Sequence, residues 1–147
     1  MITRRNVLKA GGLLGLSGVG LGVAGGWRAV RAAAPMALRA HEIEAVLDGT
    51  SPTRGVMTWN EGPEPPVIRV RQGDPFAARL INGLSEPTTI HWHGLRIANA
   101  MDGVPFLTQP YIYQNQTFDY AFAPPDAGTF WYHPHCNTLA QMGHGLA

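Results

Sequence analysis

The 147-residue chain has little charge, one cysteine, and no proline or histidine in its first 34 residues. Each shortage excludes something. A single cysteine cannot build a disulfide framework within one subunit. A charged fraction of 14% beside 45% apolar residues argues against a disordered, self-repelling chain. The formal net charge of +1 gives no sign of a nucleic-acid partner. The length suits about one domain.

These averages conceal two unlike stretches. The first 34 residues carry Arg4, Arg5, Lys9, Arg28 and Arg31, no acidic residue, and eight of the 18 glycines. Beyond them stand six basic residues against all ten acidic ones, a net charge of −4. The early part reads as a secretory signal: a charged start, an uncharged Gly/Leu/Val run from Ala10 to Gly26, then the small residues Ala32-Ala33-Ala34. Arg4-Arg5 followed by Asn6-Val7-Leu8-Lys9 resembles a twin-arginine export signal, which implies passage through the twin-arginine machinery to the bacterial periplasm. The glycine-broken run is short and weakly apolar for a membrane span of about 20 residues. Cleavage after Ala32 fits better than cleavage after Ala34, where Pro35 would follow.

Residues 35–147 break into short apolar runs separated by turn chemistry, with no sustained helical period. Strands are expected at Ala37–Leu47, Gly55–Trp59, Val67–Arg71, Phe76–Ile81, Thr88–Gly94, Gln116–Phe122 and Gly128–His133. Regular spacing with Pro and Gly between the runs predicts an all-β Greek-key sandwich or barrel. Asn99–Gln114 is the longest loop and the expected functional edge.

Four of the six histidines occur as His91-Trp92-His93 and His133-Pro134-His135. Residues two apart on a strand project from one face, with Cα atoms roughly 6.6 Å apart. Each pair can chelate one ion with some bending, or give one nitrogen to each of two neighbouring ions. A lone histidine at a strand end is more often a hydrogen-bonded surface residue. Two such pairs in aromatic and glycine-rich surroundings instead offer four neutral nitrogen ligands to a metal cluster. By the same alternation Trp92 should face the core, and Phe130 and Trp131 are expected to pack there too.

Thr89-Ile90-His91-Trp92-His93-Gly94-Leu95 and Gly128-Thr129-Phe130-Trp131-Tyr132-His133-Pro134-His135 resemble the two copper-binding motifs in the first cupredoxin (plastocyanin-like) domain of multicopper oxidases, the family of laccases and bacterial copper oxidases. The likeness runs from Val67 to Leu146 and includes Gly73-Asp74-Pro75, Met101-Asp102-Gly103-Val104-Pro105 and Met142-Gly143-His144-Gly145-Leu146-Ala147. It implies a cupredoxin-like fold over 35–147 behind the signal segment 1–34. It also implies His91 as a ligand of a type 2 copper, His93 and His133 as ligands of one copper of a type 3 pair, and His135 as a ligand of the other. Asp102 matches an acidic residue that assists proton delivery to bound oxygen. Reduction of O2 to water takes four electrons and four protons, so grouped copper ions and a nearby carboxylate suit the chemistry.

A type 1 copper site is not expected. Cys136 follows His135, but Leu139 and Gln141 stand where ligands would, and no His-Cys-His run occurs. Cys136 therefore reads as an ordinary loop residue, and His41 and His144 remain without a metal role. The family's trinuclear cluster takes eight histidines, of which four are here. The resemblance thus implies a C-terminal cupredoxin domain, of the same or a neighbouring chain, as partner, with a phenol, aromatic amine or metal ion as reductant. The chain is expected to lack the last strand of its domain and the domains downstream, and to be inactive alone. The alternatives are a stand-alone exported copper-binding module without turnover, and a fold that has lost its metal and serves protein interaction.

Overall fold

The computed structural model describes residues 34–147. Of the expected export segment 1–34, residues 1–33 lie outside the described part. The described residues form six strands: β1 (Met36–Val46), β2 (Pro52–Trp59), β3 (Phe76–Asn82), β4 (His91–His93), β5 (Thr117–Phe122) and β6 (Trp131–His133). A 3-10 turn at Asn99–Met101 and a short helix α1 (Thr138–Gly143) complete the order. None of the described helices is long and apolar enough to cross a membrane.

Four strands make one sheet in the order β2-β1-β3-β5, with β1 parallel to β3 and the other pairs antiparallel. The short strands β4 and β6 form a separate two-stranded ribbon. Alternation decides what each strand buries. Leu38 and Ala40 of β1, Ala78 and Leu80 of β3, and Tyr120 of β5 are fully buried. Arg79 points out between its buried neighbours and forms a bidentate pair with its cross-strand partner Asp119. The fully buried Leu38, Leu80, Leu84 and Ile90 each contribute about 1.5–3 kcal/mol relative to exposure.

The connection from the sheet to the ribbon is fixed by hydrogen bonds. Asn82, fully buried at the end of β3, donates to the carbonyls of Glu86 and Ile112 and accepts from the Leu84 amide. Thr88 and Ile112 exchange backbone hydrogen bonds. The Ile90 amide donates to the Tyr120 hydroxyl at 2.9 Å. Each of these polar groups is satisfied inside the core, where an unpaired one would cost about 1–3 kcal/mol. The residue before His91 is thereby held to the sheet.

Three expectations need correction. Val67–Arg71 alternates but is not a strand, because no described segment pairs with it; Val67 is 79% exposed. Val67 and Val70 instead line an apolar groove of about 730 Å³, together with Phe130, Trp131 and Tyr132. The ladder of the expected strands Thr88–Gly94 and Gly128–His133 shrinks to three residues each. Trp131 and Phe130 are 44% and 38% exposed, so neither belongs to the core, whereas Trp92 does. The helix α1 was not expected, since six residues are too few to show a helical period.

Candidate metal centre

The ribbon's register sets the site. His91 lies opposite His133, Trp92 opposite Tyr132, and His93 opposite Trp131. Period-two alternation puts His91, His93, Trp131 and His133 on one face and Trp92 with Tyr132 on the other. The second face is clamped by aromatic packing: the Trp92 ring lies 5.5 Å from Phe76, 5.2 Å from Phe122 and 5.5 Å from Tyr120, all near edge-to-face. The Tyr132 hydroxyl donates to the Pro66 carbonyl at 2.9 Å. Burying one face of the ribbon presents the imidazoles on the other.

His91, His93 and His133 bring one ring nitrogen each within 4.8 Å of one another. Their far nitrogens decide which lone pairs point inward. Nδ1 of His91 donates to the Asp102 carbonyl at 2.7 Å, which leaves Nε2 with its lone pair. Nδ1 of His133 donates to the Pro134 carbonyl at 2.8 Å, with the same result. Fixing a histidine tautomer through a carbonyl is how metal-binding imidazoles are commonly oriented. His93 Nδ1 and His133 Nε2 lie 3.2 Å apart. Two nitrogens on one tetrahedral ion, with bonds of about 2.0 Å, lie roughly 3.3 Å apart.

The carbonyl that holds His91 is itself placed by a glycine. Gly103, at φ +80°, sits where a Cβ would be 1.8 Å from the Ile90 carbonyl oxygen. Only glycine lets the 102–103 loop close on the start of β4. Asp102 also brings Oδ1 to 3.4 Å from His91 Nδ1, so its carboxylate stands on the far side of that ring from Nε2.

His135 lies beside the three, with its ring 5.5 Å from that of His91 and 6.3 Å from that of His133. Its amide donates to the buried Thr89 hydroxyl at 3.3 Å. His41 and His144 do not join the group. Cys136 is buried, its thiol donates to Thr89, and burial pushes its pKa up to about 11, so it stays protonated at neutral pH. The His133 imidazole is shifted the opposite way: burial, and then the neighbouring imidazoles of His91, His93 and His135, lower its pKa, against the Pro134 carbonyl, which raises it. A neutral imidazole is the form that binds a metal.

Sequence reasoning missed Trp131. Its indole stacks on His133 at 4.2 Å between centroids and 30°, and on His93 at 4.9 Å and 31°. The signal was present, since Trp131 and His133 are two apart and share a face.

Comparison with known proteins gives the family. A family model described as multicopper oxidase matches residues 40–147. The chain is similar to the copper resistance protein A homolog of Pseudomonas syringae pv. tomato, 36% identical over 133 residues, covering 87% of this chain and 23% of that protein. Laccase-1 of Emericella nidulans is 43% identical over 98 residues, covering 65% of this chain and 16% of the relative. Among solved structures, a multi-copper oxidase from Pseudomonas thermotolerans superimposes with a TM-score of 0.72 at 41% identity, over 77% of this chain and 27% of that one. The chain spans about a quarter or less of these proteins. The all-β architecture is cupredoxin-like, and an array of histidines able to hold metal stands on it. With the family model covering nearly all of the described residues, the chain belongs to the multicopper oxidase family.

Proposed function

We propose that this chain is the N-terminal cupredoxin domain of an exported multicopper oxidase and supplies half of the histidines of its trinuclear copper cluster. The observation that carries the reading is the convergence of His93 Nδ1 and His133 Nε2 at 3.2 Å on one face of the ribbon, beside His91. In this reading His91 holds the type 2 copper through Nε2. His93 and His133 share one type 3 copper, and His135 holds the other.

When bound, the copper ions supply closely spaced one-electron centres for the reduction of O2 to water. The chain's own residues do the rest. The Asp102 and Pro134 carbonyls keep His91 and His133 in the tautomer whose Nε2 faces inward. Thr89 anchors the backbone that carries His135. The Asp102 carboxylate, with Oδ1 3.4 Å from His91 Nδ1, is the acidic group assigned to proton delivery in this reading. A C-terminal cupredoxin domain, of the same or a neighbouring chain, provides the remaining histidines and the type 1 copper, where a phenol, aromatic amine or metal ion gives up electrons. Twin-arginine export of the segment 1–34 delivers the protein to the periplasm.

The test is copper(II) titration of the 147-residue chain, followed by absorbance and paramagnetic resonance. Uptake should be abolished in the His91→Ala/His133→Ala double variant, without O2 turnover by either protein. Copper uptake unchanged in the double variant refutes the assignment.

A further inference from the structure

The ligand-bearing face of the ribbon is a two-by-two array in which three corners are imidazoles and the fourth is an indole. Trp131 occupies the position directly opposite His93 and two residues before His133, so one side chain reaches both. The two rings it covers are those whose Nδ1 and Nε2 converge at 3.2 Å. Trp131 is 44% exposed, so it is not a core residue.

We infer that Trp131 is a positioning residue of the metal centre: its indole clamps the His93 and His133 rings so that their inward nitrogens meet at one ion. The inference rests on the copper reading above. Two physical terms support it. His133 has Pro134 to orient it, whereas the side chain of His93 has no hydrogen bond among the described residues except that with His133. Without the indole, the His93 ring is free to turn about χ2, and binding a metal must then freeze that freedom. An imidazole bound to a metal cation is also electron-poor, and an indole face within about 6 Å attracts it as it attracts a cation. Both terms favour the loaded site over the empty one.

The test is competitive copper(II) titration of the 147-residue chain against a chelator of known affinity, with paramagnetic resonance spectra and metal-free melting curves. The variants are Trp131→Leu, Trp131→Phe and the His91→Ala/His133→Ala double variant. Loss of an orienting contact outside the ligand set typically costs 10–100-fold in metal affinity. Trp131→Leu should therefore bind at least tenfold more weakly, with broadened copper resonance lines, while its metal-free melting temperature stays close to that of the parent. Trp131→Phe, which keeps an aromatic face, should recover affinity to within about threefold. Binding by Trp131→Leu within twofold of the parent, with unchanged line widths, overturns the inference if the His91→Ala/His133→Ala double variant still abolishes uptake. Uptake that survives the His91→Ala/His133→Ala double variant fails the copper reading itself. If Trp131→Leu lowers the melting temperature while leaving copper affinity intact, the indole is a structural cover and the positioning role is refuted.

Discussion

Gly103→Ala should damage fold and site together, and Gly73→Ala provides its control. Both glycines have φ +80°, but a Cβ at Gly73 meets nothing within 4 Å, whereas one at Gly103 falls 1.8 Å from the Ile90 oxygen, 2.4 Å from its carbon and 2.9 Å from the His91 nitrogen. The left-handed backbone costs an alanine roughly 1–2 kcal/mol at either place. At Gly103 the loop must also retreat by more than 1 Å before the contact is tolerable. That movement stretches the 2.7 Å hydrogen bond from His91 to the Asp102 carbonyl beyond use, a further loss of about 0.5–1.5 kcal/mol. Loosened packing around Ile90 adds to it. Gly103→Ala should thus cost at least about 1.5–3.5 kcal/mol against about 1–2 kcal/mol for Gly73→Ala, with the difference due to the contact alone. Urea unfolding followed by circular dichroism measures both. Copper affinity should fall about 10–100-fold in Gly103→Ala and stay at the parental level in Gly73→Ala. Equal stability of the two variants, or parental copper affinity in Gly103→Ala, would refute the claim that this loop packs on β4 to orient His91.

Cys136 should resist alkylation at pH 8 in the native chain, because its thiol is buried with a pKa near 11, and react promptly in urea; rapid native labelling counted by mass spectrometry would contradict this. His133 makes stability depend on pH with a defined sign. Its folded pKa lies below the ordinary 6.5, so the unfolded chain takes up the proton first, and this contribution is complete above about pH 6.5 and is lost as pH falls toward the folded value. Urea midpoints should therefore decline between pH 7 and pH 5, and His133→Asn should flatten the decline; an equally steep decline in that variant would remove His133 as its cause.

Much of the fold was legible because period-two burial is written in the residues themselves. Leu38 with Ala40, Ala78 with Leu80, and Thr117–Phe122 alternate as half-buried strands must. The paired histidine spacing likewise exposed the site, since residues two apart share a face. Val67–Arg71 shows where this logic stops: alternation tells which residues face inward, but a strand needs a neighbour to accept its hydrogen bonds, and no local pattern reports whether one exists. The role of Gly103 was invisible for a similar reason, because the atoms it spares belong to Ile90, which only the closed loop brings near. Trp131 differs from both. The rule that sends Trp92 into the core sends Trp131 to the histidine face; aromatic character suggested burial, and alternation was the better guide.

The central claim is that imidazoles of the β4–β6 face bind copper and that Cys136 does not. X-ray absorption at the copper edge of the copper-loaded 147-residue chain tests it most directly. The predicted spectrum has nitrogen or oxygen neighbours only, at about 2.0 Å, with outer-shell scattering from at least two imidazoles. A sulfur neighbour near 2.3 Å, by analogy with zinc–thiolate bonds, or fewer than two imidazoles, would contradict it.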